Sequence, residues 1–201
     1  MTARGARTRE RIVEGAAALI RERGVSDVSI DDIRGATGTS KSQIFHYFKG
    51  GKVDLLAAVA AHEAEQVLAD QQPALGELGP PESWRAWRDV VVDRYVRQGE
   101  HCPLSALTSE LGKSSPHARA IVSDLYDRWQ AAIAAGIRRL DGTSADADES
   151  AATLLTALQG GVVMLLATGR RQYLEGALDE AVDRLLESAG APTPGAMSKS
   201  A

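Results

Sequence analysis

A chain of 201 residues, 44% of them hydrophobic, is long enough for a small head and one larger core domain. No apolar run reads as long and charge-free enough to span a membrane, and the opening MTARGARTRE has no apolar signal core, so a cytoplasmic protein without a membrane partner is expected. The single cysteine, Cys102, excludes an internal disulfide, and no metal-binding or nucleophile motif is present: His62-Glu63 has no second histidine four residues on. No enzyme, metal site or cofactor is therefore expected.

In chain order, residues 7–24 read as a helix, with Ile12, Ala16, Leu19 and Ile20 at helical spacing and Gly24 as the stop. Ser29 opens a second helix through an S-x-x-D pattern with Asp32, and Ile30 and Ile33 share one face. Ala36-Thr37-Gly38-Thr39 ends it, because glycine takes the left-handed conformation that a sharp helix-to-helix turn demands. A third helix starts at once: Ser40 is the N-cap, Gln43 completes S-x-x-Q, and Ile44 with Phe48 forms an i, i+4 apolar pair facing inward. Its remaining face, Lys41, Ser42, Gln43, His46 and Tyr47, consists of hydrogen-bonding side chains, as a helix in the DNA major groove requires. Gly50-Gly51-Lys52 then interrupts the chain before a longer helix carrying Val53, Leu56, Val59 and Val67. Lys52 falls at that helix's N-terminus, where backbone N–H groups and a cation together hold a phosphate.

Charge is divided in the same way. Residues 1–52 hold ten Arg or Lys against six Asp or Glu, a net of +4, which leaves −8 on the remainder of a chain whose total is −4. A basic head on an acidic body suits a protein that presents one end to a polyanion. The candidate DNA-binding residues are Ser29, Lys49 and Lys52 as phosphate anchors and Lys41, Gln43, His46 and Tyr47 as base or mixed contacts, with Thr39, Ser40 and Ser42 completing the set. Gln43 carries two incompatible roles, since a side chain folded back as a cap cannot also read an adenine edge. Arg4 and Arg7 lie on a short arm for which minor-groove insertion and plain solvation stand equal.

Beyond the head, prolines punctuate segments of helical period near 52–72, 82–99, 104–112, 116–140, 147–168 and 172–189, and no alternating β-branched run appears. The predicted division is residues 1–50 as a DNA-binding head, 51–190 as a body and 191–201 as a disordered tail. The class expected is all-α with about nine helices. Leu154, Leu158, Val162 and Leu165 with Leu178, Val182 and Leu185 give the last two helices wide apolar faces. An internal hairpin and a subunit interface explain these equally, and the mid-helix pair Gly160-Gly161 favours close approach of another backbone.

Thr37-Gly38-Thr39-Ser40-Lys41-Ser42-Gln43-Ile44-Phe45-His46-Tyr47-Phe48, followed by Lys52-Val53-Asp54-Leu55-Leu56, resembles the recognition segment of the TetR/AcrR family of bacterial transcriptional regulators, usually close to A-G-V-S-K-G-T-L-Y-H-H-F. Ser42 stands where a glycine is common, and Phe45 where a tyrosine hydroxyl often meets DNA, with Tyr47 the nearest substitute. The extra glycine before Lys52, and Cys102-Pro103-Leu104-Ser105-Ala106-Leu107 with Glu110 beyond, resemble a multidrug- and flavonoid-sensing subgroup. The resemblance implies a homodimer formed by the last two helices, with Leu154, Leu158, Gly161, Val162, Leu165, Leu178, Val182 and Leu185 at the interface, reading a palindromic double-stranded operator. It also implies a small-molecule effector, apolar or aromatic, whose candidate contacts are Gln66, Trp84, Trp87, Tyr95, Cys102, Leu107, Glu110, Tyr126, Trp129, Gln159 and Met164. For any single aromatic the core reading stands beside the pocket reading, and Cys102 can equally be an inert buried thiol. The expected function is a repressor released by its effector, with an activator of the same architecture open. The rival is a helical enzyme or small-molecule-binding protein that does not bind DNA.

Overall fold

The computed structural model describes residues 2–98, 116–141 and 146–190, and every regular element among them is helical. In chain order these are α1 (Ala3–Arg23), α2 (Ile30–Thr37), α3 (Lys41–Tyr47), α4 (Lys52–Ala69), α5 (Pro81–Gln98), α6 (Pro116–Asp141), α7 (Ala147–Thr168) and α8 (Gln172–Ser188). The all-α class holds. The further helix expected near 104–112 and the tail from 191 lie outside the described residues.

Local chemistry sets the helix ends. α1 starts four residues earlier than its apolar spacing predicts, because Thr2 caps it: its side-chain oxygen accepts from the Gly5 N–H at 3.2 Å. At α2 the Asp32 N–H donates to Ser29 Oγ at 3.2 Å while the Ser29 N–H donates to the Asp32 carboxylate at 2.8 Å. The Ser29 hydroxyl also donates to that carboxylate, and these bonds, Ser29 side chain first and backbone second, hold Asp32 below its ordinary pKa. At α3 the same box forms with glutamine: the Gln43 N–H donates to Ser40 Oγ at 3.1 Å, and the Ser40 N–H donates to Gln43 Oε1 at 2.9 Å. Between the two helices Gly38 sits at φ 60°, ψ 28°, the left-handed turn expected.

The chain divides into two compact units, one made of Met1–Ala69 with His101–Tyr126, the other of Asp70–Glu100 with Asp127–Ala201. In the first, Ile12, Val13, Ala16 and Ile20 of α1 meet Ile33 of α2, Ile44 and Phe48 at α3, and Leu55 and Val59 of α4 in one apolar core. Glu63 of α4, 1% exposed, is paired with Arg21 of α1, which keeps the buried carboxylate compensated. Gly15 marks the tightest approach of α1 to α2: a Cβ there would fall well inside van der Waals contact with Thr37 Cγ2. Thr37 has little freedom to give way, since its hydroxyl donates to the Ile33 carbonyl at 2.7 Å and meets Thr39 Oγ1 at 2.7 Å.

In the second unit α7 and α8 form a helical hairpin whose interior is Leu154, Leu158, Val162 and Leu165 against Leu174, Leu178, Val182 and Leu185, all buried. Leu154, Leu158, Gly161, Val162, Leu165, Leu178, Val182 and Leu185, the residues expected at a subunit interface, are thus buried within a single chain. Gly161 is small for a reason internal to the chain, because a Cβ there would lie 2.8 Å from Leu174 Cα. Arg88 clamps Asp179 through two bonds of 2.7 and 2.9 Å, and Arg85 reaches Asp183 at 3.0 Å, so α5 is tied to α8. The expectation that no apolar run is long enough to span a membrane is corrected at α7, which is by length and composition apolar enough to cross one. Within its most apolar stretch 39% of the residues are buried inside the chain.

Two measurements check these contacts. Gly15→Ala gains helix propensity of about 1 kcal/mol, but overpacking against a fixed Thr37 costs about 1–3 kcal/mol, so urea denaturation will show a net loss of stability. Because the folded pKa of Asp32 is depressed, the unfolded chain binds the proton more readily. Its contribution is complete above the ordinary aspartate pKa and fades as pH falls through the folded value; an NMR titration of Asp32 will show the low value, and Ser29→Ala will raise it.

Candidate nucleic-acid interface

α3 is only seven residues long, and the core fixes which side of it is free. Ile44 and Phe48 are 0% and 2% exposed, so Ser42, Gln43 and His46 are turned outward, with Lys41 at the first turn. All four are exposed, as are Ser29, Ser40 and Lys49. Tyr47 is half-buried and packs against the head core, with the His46 ring edge-on to it at 5.0 Å. Thr39 is buried, 5% exposed, with its hydroxyl spent on Thr37, so it shapes the turn from beneath the surface.

The α3–α4 turn adds a second group of polar atoms beside this face. Gly51 adopts φ 68°, the Gly50 N–H donates to the Asp54 carboxylate at 2.6 Å, and Lys52 opens α4. The Lys52 ammonium donates to the Val25 carbonyl at 3.4 Å, a long bond that holds the cation over the head surface near a helix N-terminus. Gln43 is engaged as the α3 cap in this DNA-free chain, the Ser40 N–H donating to its Oε1. Sequence reasoning assigned no DNA contact to Phe45, yet it is 43% exposed on the same helix. A large apolar side chain outside the i, i+4 core pair was the signal that would have found it.

The candidate effector residues belong to both units. Trp84 and Trp87 are fully buried and edge-on at 6.3 Å, their indole N–H groups donating to the Gly79 carbonyl at 3.2 Å and to Gln71 Oε1 at 2.8 Å. Tyr95 and Trp129 are also buried, and the Gln159 side-chain nitrogen is buried with no hydrogen-bond partner among the described residues. Gln66 and Tyr126 belong to the first unit, and Met164 is 40% exposed on the outer side of α7. Cys102, Leu107 and Glu110 lie outside the described residues. Among the described residues, no group of three His, Cys, Asp or Glu could hold a metal ion.

Comparison with known proteins agrees with this geometry. Residues 12–59 match the model of bacterial regulatory proteins of the tetR family, and residues 81–180 match the C-terminal domain of LmrA/YxaF-like transcriptional regulators. An uncharacterised HTH-type transcriptional regulator of Mycobacterium tuberculosis is 30% identical over 173 residues, covering 81% of this chain and 85% of that one. A crystal structure of a transcriptional regulator from Saccharomonospora viridis in complex with choline superimposes with TM-score 0.66 at 26% identity, covering 90% and 96% of the two chains. A regulator from Streptomyces avermitilis shares the fold with TM-score 0.73 at 24% identity, covering 92% and 99%. A capped helix-turn-helix in a basic head, joined to a helical C-terminal domain of a known regulator type, makes the chain a member of the TetR family of transcriptional regulators.

Proposed function

We propose that this regulator is a repressor that binds a roughly palindromic operator as a homodimer and leaves it when a small apolar or aromatic effector occupies the second unit. The observation that carries the reading is the outward face of α3, where Lys41, Ser42 and His46 are exposed on a helix held by Ile44 and Phe48. Such a face supplies phosphate and base-edge contacts, and the net charge of +4 over residues 1–52 draws it to DNA. Ser29, Lys49 and Lys52 fix register on the phosphates. With Gln43 held as a cap, Lys41, Ser42 and His46 do most of the reading.

One copy binds weakly, and two copies related by a two-fold axis read two half-sites. Since the interior of the α7–α8 hairpin is filled, the dimer face moves to the outer side of α7. There Thr156, Gly160, Val163, Met164 and Ala167 recur at i, i+4, i+7, i+8 and i+11, all exposed, with Val163 at 57%. A Cβ on Gly160 would meet nothing within 4 Å in its own chain, so its smallness is left for a partner's backbone. The buried, unpartnered amide nitrogen of Gln159 supports a polar anchor for an effector, in the unit that also buries Trp84, Trp87, Tyr95 and Trp129. Release follows from linkage: an effector weakens DNA binding if it favours the arrangement of heads that misfits the operator. α4 follows the reading helix and runs to Ala69, one residue before the second unit begins at Asp70, and is the lever in this scheme.

Selection from a random duplex pool tests the reading: a palindromic consensus is expected, and failure to enrich any sequence at low salt would sink it. On that operator Lys49→Ala will weaken binding evenly across sequences and flatten the salt dependence by about 0.9 in slope for each phosphate it leaves unneutralised, whereas His46→Ala will relax base preference. Val163→Asp will convert a sedimenting dimer to monomer without loss of helicity; a dimer that survives the change would place the interface elsewhere.

A further inference from the structure

Every other exposed side chain on α3 can donate or accept a hydrogen bond, and Phe45 cannot. Phe45 is 43% exposed although Ile44 on the same helix and Phe48 at its C-cap are almost fully covered. The ring is not loose on the surface. Gly51, at φ 68°, lies under one edge of it, and a Cβ there would sit 3.2 Å from Phe45 Cε1. One edge is thus seated on the α3–α4 turn, and the rest of the ring stays open on the flank of the reading face. Ser42 and Lys41, three and four residues earlier, are its neighbours on the helix surface.

A phenyl ring cannot sense the donor and acceptor pattern of base edges. The apolar group that a base pair offers in the major groove is the 5-methyl of thymine. We propose that Phe45 is a specificity-determining residue that packs on a thymine methyl in each half-site, so that the operator carries a required thymine beside the bases read by Lys41 and Ser42. This rests on the reading that α3 enters the major groove.

The test replaces thymine by uracil, one position at a time, in the operator selected from the random pool, with the unaltered full-length chain as the binding protein. Only the methyl is removed, so the result does not depend on whether any variant folds. One thymine in each half-site is expected to be sensitive, with binding weakened about fourfold per half-site, and Phe45→Ala is expected to bind the thymine and uracil operators equally. Insensitivity at every position would overturn the inference and leave the regulator reading intact, as would a uracil penalty that persists unchanged in Phe45→Ala. A pool that yields no preferred sequence would instead remove the major-groove reading, and this inference with it.

Discussion

The burial of Ile44 and Phe48 is the contact on which the DNA-reading geometry depends. A helix of seven residues is too short to be stable alone in water. Its order comes from outside: two side chains inserted between α1, α2 and α4, and a capping box that closes its first turn. Because both anchors lie on one side, the direction in which Ser42, Gln43 and His46 point is fixed before any DNA is met. The recognition surface is therefore preorganised, and little ordering entropy is left to oppose binding.

The same economy governs the polar groups around the turn. Gln43 serves the helix and not the groove in the free chain, Thr39 supports Thr37 from beneath, and Asp54 receives the Gly50 N–H. Residues that look equivalent on a helical wheel thus divide into those that hold the motif together and those left free to contact a partner. Basic residues concentrate in the head while the rest of the chain is acidic, so the head is the end whose field attracts a polyanion.

Local features of the head were legible because each rests on neighbours in sequence. Ser29 with Asp32, Ser40 with Gln43 and the left-handed Gly38 needed only the spacing of cap and turn residues. The start of α1 was missed because its first turns lack apolar groups, and the cap at Thr2 is visible only from the bond it makes to Gly5. The hairpin faces show what periodicity leaves open. Periodicity shows that Leu154, Leu158, Val162 and Leu165 share a side, but it does not tell an internal partner from an external one. Gly161 illustrates the point: its smallness signalled a close backbone correctly, and that backbone is Leu174 of the same chain. Thr39 and Phe45 depart in opposite directions from the simple rule relating polarity to position, a polar residue buried by a hydroxyl pair and an apolar one left exposed.

The central claim is that α3 is the surface that meets DNA. Backbone amide chemical shifts, recorded as operator duplex is titrated into the full-length protein, test it most directly. The account predicts that the largest changes fall on residues 40–47, with smaller ones at Ser29 and across Lys49 to Lys52, and that they diminish as salt is raised. Changes confined to the second unit, with residues 40–47 unmoved at saturating DNA, would contradict it.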